Sequence, residues 1–442
     1  MKFTKMSLVA ALLIGSSAFA IDNVKVSGDA KLYYSTDDAK SDGIGSIGTV
    51  SDSLFNAGSS AGQAALGLGI TADLTKNVSA GVHATILSTL GLEGQLVNNV
   101  WEGTDGTTDS WIIDEAWIAG TVGKTTGKIG RMELDTPLVF TEKWSIAKNT
   151  FEAAVVINQD VPDTTIVAAY VGGSNSNSVV NNAYGHGISA PAAGIANVVQ
   201  SQNASNTTFQ QFYNGAFAAG VINNSFKPLT VQAWYYDAPQ FLDAYWLQAD
   251  LDAADLGAKG LTVGAQYSRT NYNASNDFAI TTDSDNDVYA FKLGYEMKDL
   301  VAVSAAYSAT GKDDVHGFGA GANIATYNGS ANSKSKLYTE AWWNYGYVTR
   351  NDTNAWNITV TSPVQGMFDL AAYYTSTSTT RTGNTDIDMT EFTLTAGKDF
   401  GPLNATIAYI YTNADDQNDN TTDGVDNGED FNTIQVYLTY NF

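Results

Sequence analysis

Cysteine is absent from the 442 residues, proline occurs seven times, histidine three times, and only 15% of positions are charged. Without cysteine, disulfide scaffolds and thiolate zinc or iron–sulfur sites are excluded. His83, His186 and His316 are too widely spaced to suggest a histidine metal cage. Basic residues number 22 against 46 acidic, a formal charge of −24, which excludes nucleic acid as a partner because phosphate binding requires lysine and arginine. Beyond residue 20 no apolar run approaches the length of a membrane-crossing helix. Gly-x-Ser-x-Gly, His-Glu-x-x-His and phosphate-binding loop patterns do not occur, so no enzymatic motif is expected.

The first twenty residues read as a secretory signal peptide. Lys2 and Lys5 form a positive start, Leu8 to Ile14 an apolar core, and Ala18-Phe19-Ala20 a small-x-small cleavage site. Losing those two lysines takes 22 basic residues to 20 and the formal charge from −24 to −26. Residues 21–442 are then expected to form one domain.

In that domain, apolar and polar residues alternate over stretches of about ten residues, the length of a tilted transmembrane strand. Ile434, Val436, Leu438, Tyr440 and Phe442 oppose Thr433, Gln435, Thr439 and Asn441. Leu229, Val231, Ala233 and Tyr235 oppose Thr230 and Gln232; Tyr289, Phe291, Leu293 and Tyr295 oppose Lys292 and Glu296. A period of two places each set on one face of a sheet. Aromatic runs near strand ends, Tyr33-Tyr34, Trp234-Tyr235-Tyr236 and Tyr373-Tyr374, suggest interfacial girdles.

Connections alternate between tight and long. Tight turns are expected at Thr75–Asn77, Gly123–Thr125, Val161–Asp163, Phe226–Pro228, Ala253–Gly260, Met297–Asp299, Pro363–Gly366 and Asp399–Pro402, each rich in Gly, Pro, Asn or Asp. Eight such turns join sixteen strands, and the first and last bring the total to about eighteen, with Gly311 to Thr353 able to hold one more hairpin. The fold class is therefore all-β, a transmembrane antiparallel β-barrel with long polar loops at one end, such as Gly173–Thr208 and Asp415–Asp430.

One segment breaks the rhythm. Arg131-Met132-Glu133-Leu134-Asp135-Thr136-Pro137, followed by Glu142-Lys143-Trp144, combines a proline with charges of both signs. On a lipid-facing strand such charges cost about 2–4 kcal/mol near the midplane. The segment is expected to fold inward and constrict the lumen, with Glu133, Asp135 and Glu142 setting a negative field and Arg131 and Lys143 propping it. Four arginines and a surplus of acid favour cations over anions. Asp283–Asp287 and Asp419–Asp430 resemble calcium loops without the full ligand pattern, and loose divalent-cation association is the expected behaviour.

Gly130-Arg131-Met132-Glu133-Leu134-Asp135-Thr136-Pro137-Leu138 resembles the segment leading into the constriction loop of the epsilonproteobacterial (Campylobacter-type) major outer membrane proteins, and Leu337-Tyr338-Thr339-Glu340-Ala341-Trp342 is similar to another segment of that porin family. The terminal Tyr440-Asn441-Phe442 resembles the aromatic end read by outer-membrane assembly machinery. The resemblance implies an eighteen-stranded barrel, a homotrimer in outer-membrane lipid and lipopolysaccharide, and a cation-preferring channel for small hydrophilic solutes. It places Glu133, Asp135 and Glu340 near the constriction, where a Ca2+ or other divalent cation would suit clustered carboxylates. The alternatives are a plugged barrel with structural or adhesive loops, and an outer-membrane hydrolase.

Overall fold

The computed structural model describes residues 22–39, 53–92, 96–97, 110–143, 146–174, 199–200, 210–239, 242–273, 283–313, 319–324, 334–364, 367–380, 386–418 and 430–442. Ala18, Ala20, His186, His316 and most of the 173–208 and 415–430 loops lie outside them.

Eighteen antiparallel strands form the wall. The first six are β1 (Asp22–Asp37), β2 (Ser60–Thr75), β3 (Val78–Ser88), β4 (Ser110–Val122), β5 (Thr125–Met132) and β6 (Phe151–Asn158). Then come β7 (Thr164–Ser174), β8 (Gln210–Asn223), β9 (Leu229–Ala238), β10 (Leu242–Asp252), β11 (Leu261–Tyr272) and β12 (Ser284–Met297). The last are β13 (Val301–Thr310), β14 (Thr353–Val364), β15 (Phe368–Thr380), β16 (Asp386–Phe400), β17 (Leu403–Ala414) and β18 (Asp430–Asn441). A two-residue ribbon, Val199–Gln200, pairs only with Gln211 and Phe212. Each strand pairs with its sequence neighbours, and β18 pairs with β1 from Asp29↔Asn441 to Asp37↔Thr433, so the sheet closes and leaves no edge. At the seam Gly28 and Phe442 exchange backbone hydrogen bonds of 2.8 and 2.9 Å. Seven of the tight connections fall where the turn residues put them; in the eighth, Pro363–Gly366, residues 365–366 lie outside the described residues.

Alternation decides the faces. On β18, Ile434, Val436, Leu438 and Tyr440 point outward, while Thr433 and Gln435 are fully buried on the inner face. The same rule corrects the aromatic-girdle reading. Adjacent residues of a strand project to opposite sides, so only the middle ring of Trp234-Tyr235-Tyr236 reaches the outside: Tyr235 is 51% exposed, Trp234 5% and Tyr236 2%. Tyr33 likewise turns inward against Tyr437, with ring centroids 5.1 Å apart.

The stretch Gly311–Thr353 adds no strand to the wall among its described residues. Residues 319–324 and 334–350 fold into the lumen, where Leu337, Thr339, Ala341, Tyr347, Val348 and Thr349 are buried. The barrel thus carries two inward segments where the sequence suggested one.

Candidate functional site

The first inward segment, residues 133–143 and 146–150, leaves the wall at the end of β5. Gly130 has φ +126°, and a Cβ there would collide with the carbonyl oxygen of Ala116, so the backbone bends at a position only glycine tolerates. Leu134 and Thr141 then close a small loop: the Thr141 N–H donates to the Leu134 carbonyl at 2.7 Å, and the Leu134 N–H donates to Thr141 Oγ1 at 3.1 Å. Thr136 Oγ1 donates to the Val139 carbonyl at 2.7 Å, which ties the turn around Pro137. The tip, Leu138, is fully buried, a gain of about 2 kcal/mol for its side chain. Its N–H donates to the Tyr236 hydroxyl on β9 at 3.3 Å.

The second segment meets the first at this tip. The Ile324 N–H donates to the Leu138 carbonyl at 2.9 Å, and Asn323 both accepts from the Phe140 N–H (3.3 Å) and donates to the Phe140 carbonyl (2.9 Å). Residues 334–350 are held against the opposite wall. Gln266 on β11 donates to the Lys336 carbonyl at 2.8 Å and accepts from the Tyr338 N–H at 3.1 Å. Ser308 on β13 lies 2.6 Å from Thr339, and Asn357 on β14 donates to the Glu340 carbonyl at 3.3 Å.

The charged residues of the neck are mostly paired. Glu133 accepts from Lys148 at 2.6 Å and also pairs with Lys143; Lys148 in turn pairs with Glu115 on β4. Burial alone would raise the pKa of Glu133, yet the two lysines hold it below the ordinary carboxylate value. Burial would equally lower Lys148, and its two carboxylate partners outweigh that and raise it. Glu115 reaches the lumen through a β-bulge. His83 pairs with Glu115 and Ala84 with Ile113, which leaves Asp114 as the extra residue on β4. Asp114 is buried, 2.6 Å from His83 Nδ1 and 2.8 Å from Thr85 Oγ1. Asp29, Lys31, His83, Thr85, Glu133, Lys143, Ala147, Lys148 and Asn441 line one cleft along this side of the neck.

The remaining expected residues separate. Asp135 is exposed at the neck and pairs with Lys336 of the second segment. Glu142 is buried at the junction of the segments, accepting from Asn323 Nδ2 at 3.0 Å and the Lys334 N–H at 3.3 Å. Glu340 accepts from the Ser335 N–H at 3.0 Å and from the Ser335 hydroxyl, with Lys334 Nζ 3.9 Å away. Burial pushes its pKa up to about 8 against the pull of Lys334 and Ser335, and Glu142 adds to the rise. Arg131 does not reach the lumen. It falls on the outward side of β5, donating to Glu152 at 2.9 Å and to the Ile113 carbonyl at 3.1 Å, because strand parity carries it to the face opposite Met132.

Glu133, Asp135 and Glu340 each meet different lysines, and no group of three or more His, Asp or Glu able to hold a metal ion occurs among the described residues. Tyr440 and Phe442 stand on the outer face at the short-turn rim, ring centroids 6.3 Å apart. Sequence reasoning missed Lys148, Glu115, Lys336 and Glu391. The adjacent acids Asp114-Glu115 inside an alternating strand were a readable hint, since only a bulge takes both out of lipid. Nothing local marked the other three.

No protein-family model matches the chain, and no curated protein matches it in sequence. Solved structures do match. OccAB1 of Acinetobacter baumannii superposes with a TM-score of 0.70 at 13% identity, over 95% of this chain and 97% of its own. OccK8 (OprE) of Pseudomonas aeruginosa gives 0.68 at 16% identity, over 96% and 99%. The outer membrane protein OpdK of the same organism, also crystallised with vanillate, gives 0.66 at 13% identity, over 95% and 99%. At such identities the likeness is one of fold, and the chain takes the closed β-barrel fold of these bacterial outer membrane proteins.

Proposed function

We propose that this chain is an outer-membrane channel for passive diffusion of small hydrophilic solutes, with a preference for cations and no chemistry of its own. The observation that supports this best is the pair of inward segments. They are polar or charged where they face the lumen, and they narrow a barrel whose outer face is rich in exposed apolar side chains. The two segments contain the two patches that resemble the Campylobacter-type porins, Gly130–Leu138 and Leu337–Trp342, and this supports membership of a porin group and the homotrimer such porins form. Because the neck carboxylates are lysine-paired, the cation preference rests on the overall acid surplus and on the balance of each pair.

The test is conductance of the refolded protein in a planar bilayer under a salt gradient. Stepwise openings with a cation-signed reversal potential are expected. A folded barrel that never conducts would overturn the channel and favour a plugged, structural or adhesive role; an anion-signed potential would overturn the cation preference alone.

A further inference from the structure

Glu391 lies on β16, facing inward, and is 1% exposed. Its carboxylate collects the backbone N–H groups of three consecutive residues of the second segment: Trp342 at 2.8 Å, Trp343 at 3.1 and 3.2 Å, and Asn344 at 2.7 Å. The side-chain amide of Asn344 donates at 2.9 Å, and Thr393 Oγ1 at 3.2 Å. No lysine or arginine among the described residues lies within ion-pair distance of it. A buried charge balanced only by amide and hydroxyl dipoles is an anion nest, here with the protein's own carboxylate as the anion. Hydrogen bonds to an ionised acceptor are roughly twice as strong as neutral ones, and all three backbone donors belong to residues outside any strand.

Those residues include two tryptophans. Trp342 and Trp343 are half-buried. The Trp342 ring lies 5.3 Å from Tyr373 on β15, and its Nε1 donates to Gln435 on β18 at 3.5 Å, where the Tyr437 hydroxyl also donates at 2.9 Å. This strip adjoins the Lys31 side of the neck, since Tyr437 is the register partner of Tyr33 and Thr439 that of Lys31.

We infer that Glu391 is the positioning residue of the channel: its carboxylate pins the Trp342–Asn344 backbone and thereby sets the width and steadiness of the open pore. This rests on the channel reading above. The chemistry requires the charge as well as the shape. Glutamine has nearly the same volume, but one of its two terminal atoms becomes an NH2 donor facing N–H donors. About half of the nest then loses its acceptor, and orphaned buried donors drive the segment off the wall.

The experiment compares single-channel records of the parent and Glu391→Gln, with the barrel verified by circular dichroism and heat-modifiable gel mobility. The variant is expected to show a larger mean conductance and a several-fold rise in open-channel current variance. A rescue variant adds Ser308→Cys and Thr339→Cys to Glu391→Gln. The hydroxyls of these residues are 2.6 Å apart, so the two side chains touch, and the parent has no competing cysteine. Oxidation is expected to restore the quiet trace, and reduction to remove it.

A folded Glu391→Gln channel with parental conductance and variance would overturn the proposal. If the variant does not refold, hydrogen exchange on the parent decides: amides 342–344 should be as protected as those of β16, and rapid exchange there would overturn the pin. A parent that never conducts would refute the channel reading, while the exchange measurement would still judge the anchoring.

Discussion

The two inward segments meet at Leu138, Phe140 and Asn323, yet they are held by different physics. The first, residues 133–143 and 146–150, is fastened largely by charge pairs: Glu133 with Lys143 and Lys148, Asp135 with Lys336. The second, residues 334–350, is fastened by buried hydrogen bonds to the wall, with Glu391 accepting backbone N–H groups out of reach of solvent. The outer pairs, made by Lys143 and Asp135, are exposed, screened by salt and contribute little to stability, whereas mostly buried Lys148 and the buried Glu391 acceptor are costly to remove. The first segment is therefore suited to act on passing ions, and the second to hold the frame.

The sharpest way to break that contrast is at Lys148. Lys148→Met leaves Glu115 and Glu133 without their shared ammonium and should cost up to about 3 kcal/mol of local stability. It should also raise the cation preference. Glu133→Gln with Asp135→Asn should move the reversal potential the other way, because Lys143 and Lys336 lose their counter-charge and Lys148 loses one of two. Shifts of the same sign in both variants would show that neck charge does not govern selectivity.

A smaller effect is expected from pH, and it belongs to the second segment. The pKa of Glu340 is raised to about 8 in the folded chain, so the folded state binds more protons than the unfolded one between the ordinary carboxylate value and pH 8. Stability from this group is complete below the ordinary value, declines across that window and stays low above it. Cation preference should rise over the upper part of the same window as the carboxylate ionises. Reversal potentials from pH 6 to 9 check this, and Glu340→Gln should flatten the profile.

The smallest effect serves as the control. Lys227 and Asp163 pair at 2.7 Å between two short turns, with side chains 65% and 43% exposed. Lys227→Ala should change stability by no more than about 1 kcal/mol, and leave conductance and selectivity unaltered. A change in selectivity would mean that the rim, and not the neck, discriminates.

Most of the architecture was readable along the chain. Alternation marked the strands, turn residues marked eight tight connections, and a proline among mixed charges marked the segment that had to leave the wall. The errors have local causes too. Clustering suggests a girdle for Trp234 and Tyr236, yet strand parity turns both inward, and the same parity turns Arg131 outward, one residue from inward-facing Met132. The second inward segment carried no such signal in its composition; only the resemblance of Leu337–Trp342 to a porin segment pointed Glu340 toward the constriction.

The sequence by itself determined which residues become strands, where they turn and which face meets lipid, because a period of two and a turn are set by neighbours a few residues apart. Only the tertiary structure decided what the carboxylates do. Asp135 finds Lys336 across 201 positions, and Glu391 finds Trp342 across 49. Such pairs exist only after the barrel has closed and the two segments have packed inside it, when each charge must take the nearest partner that the enclosed space offers.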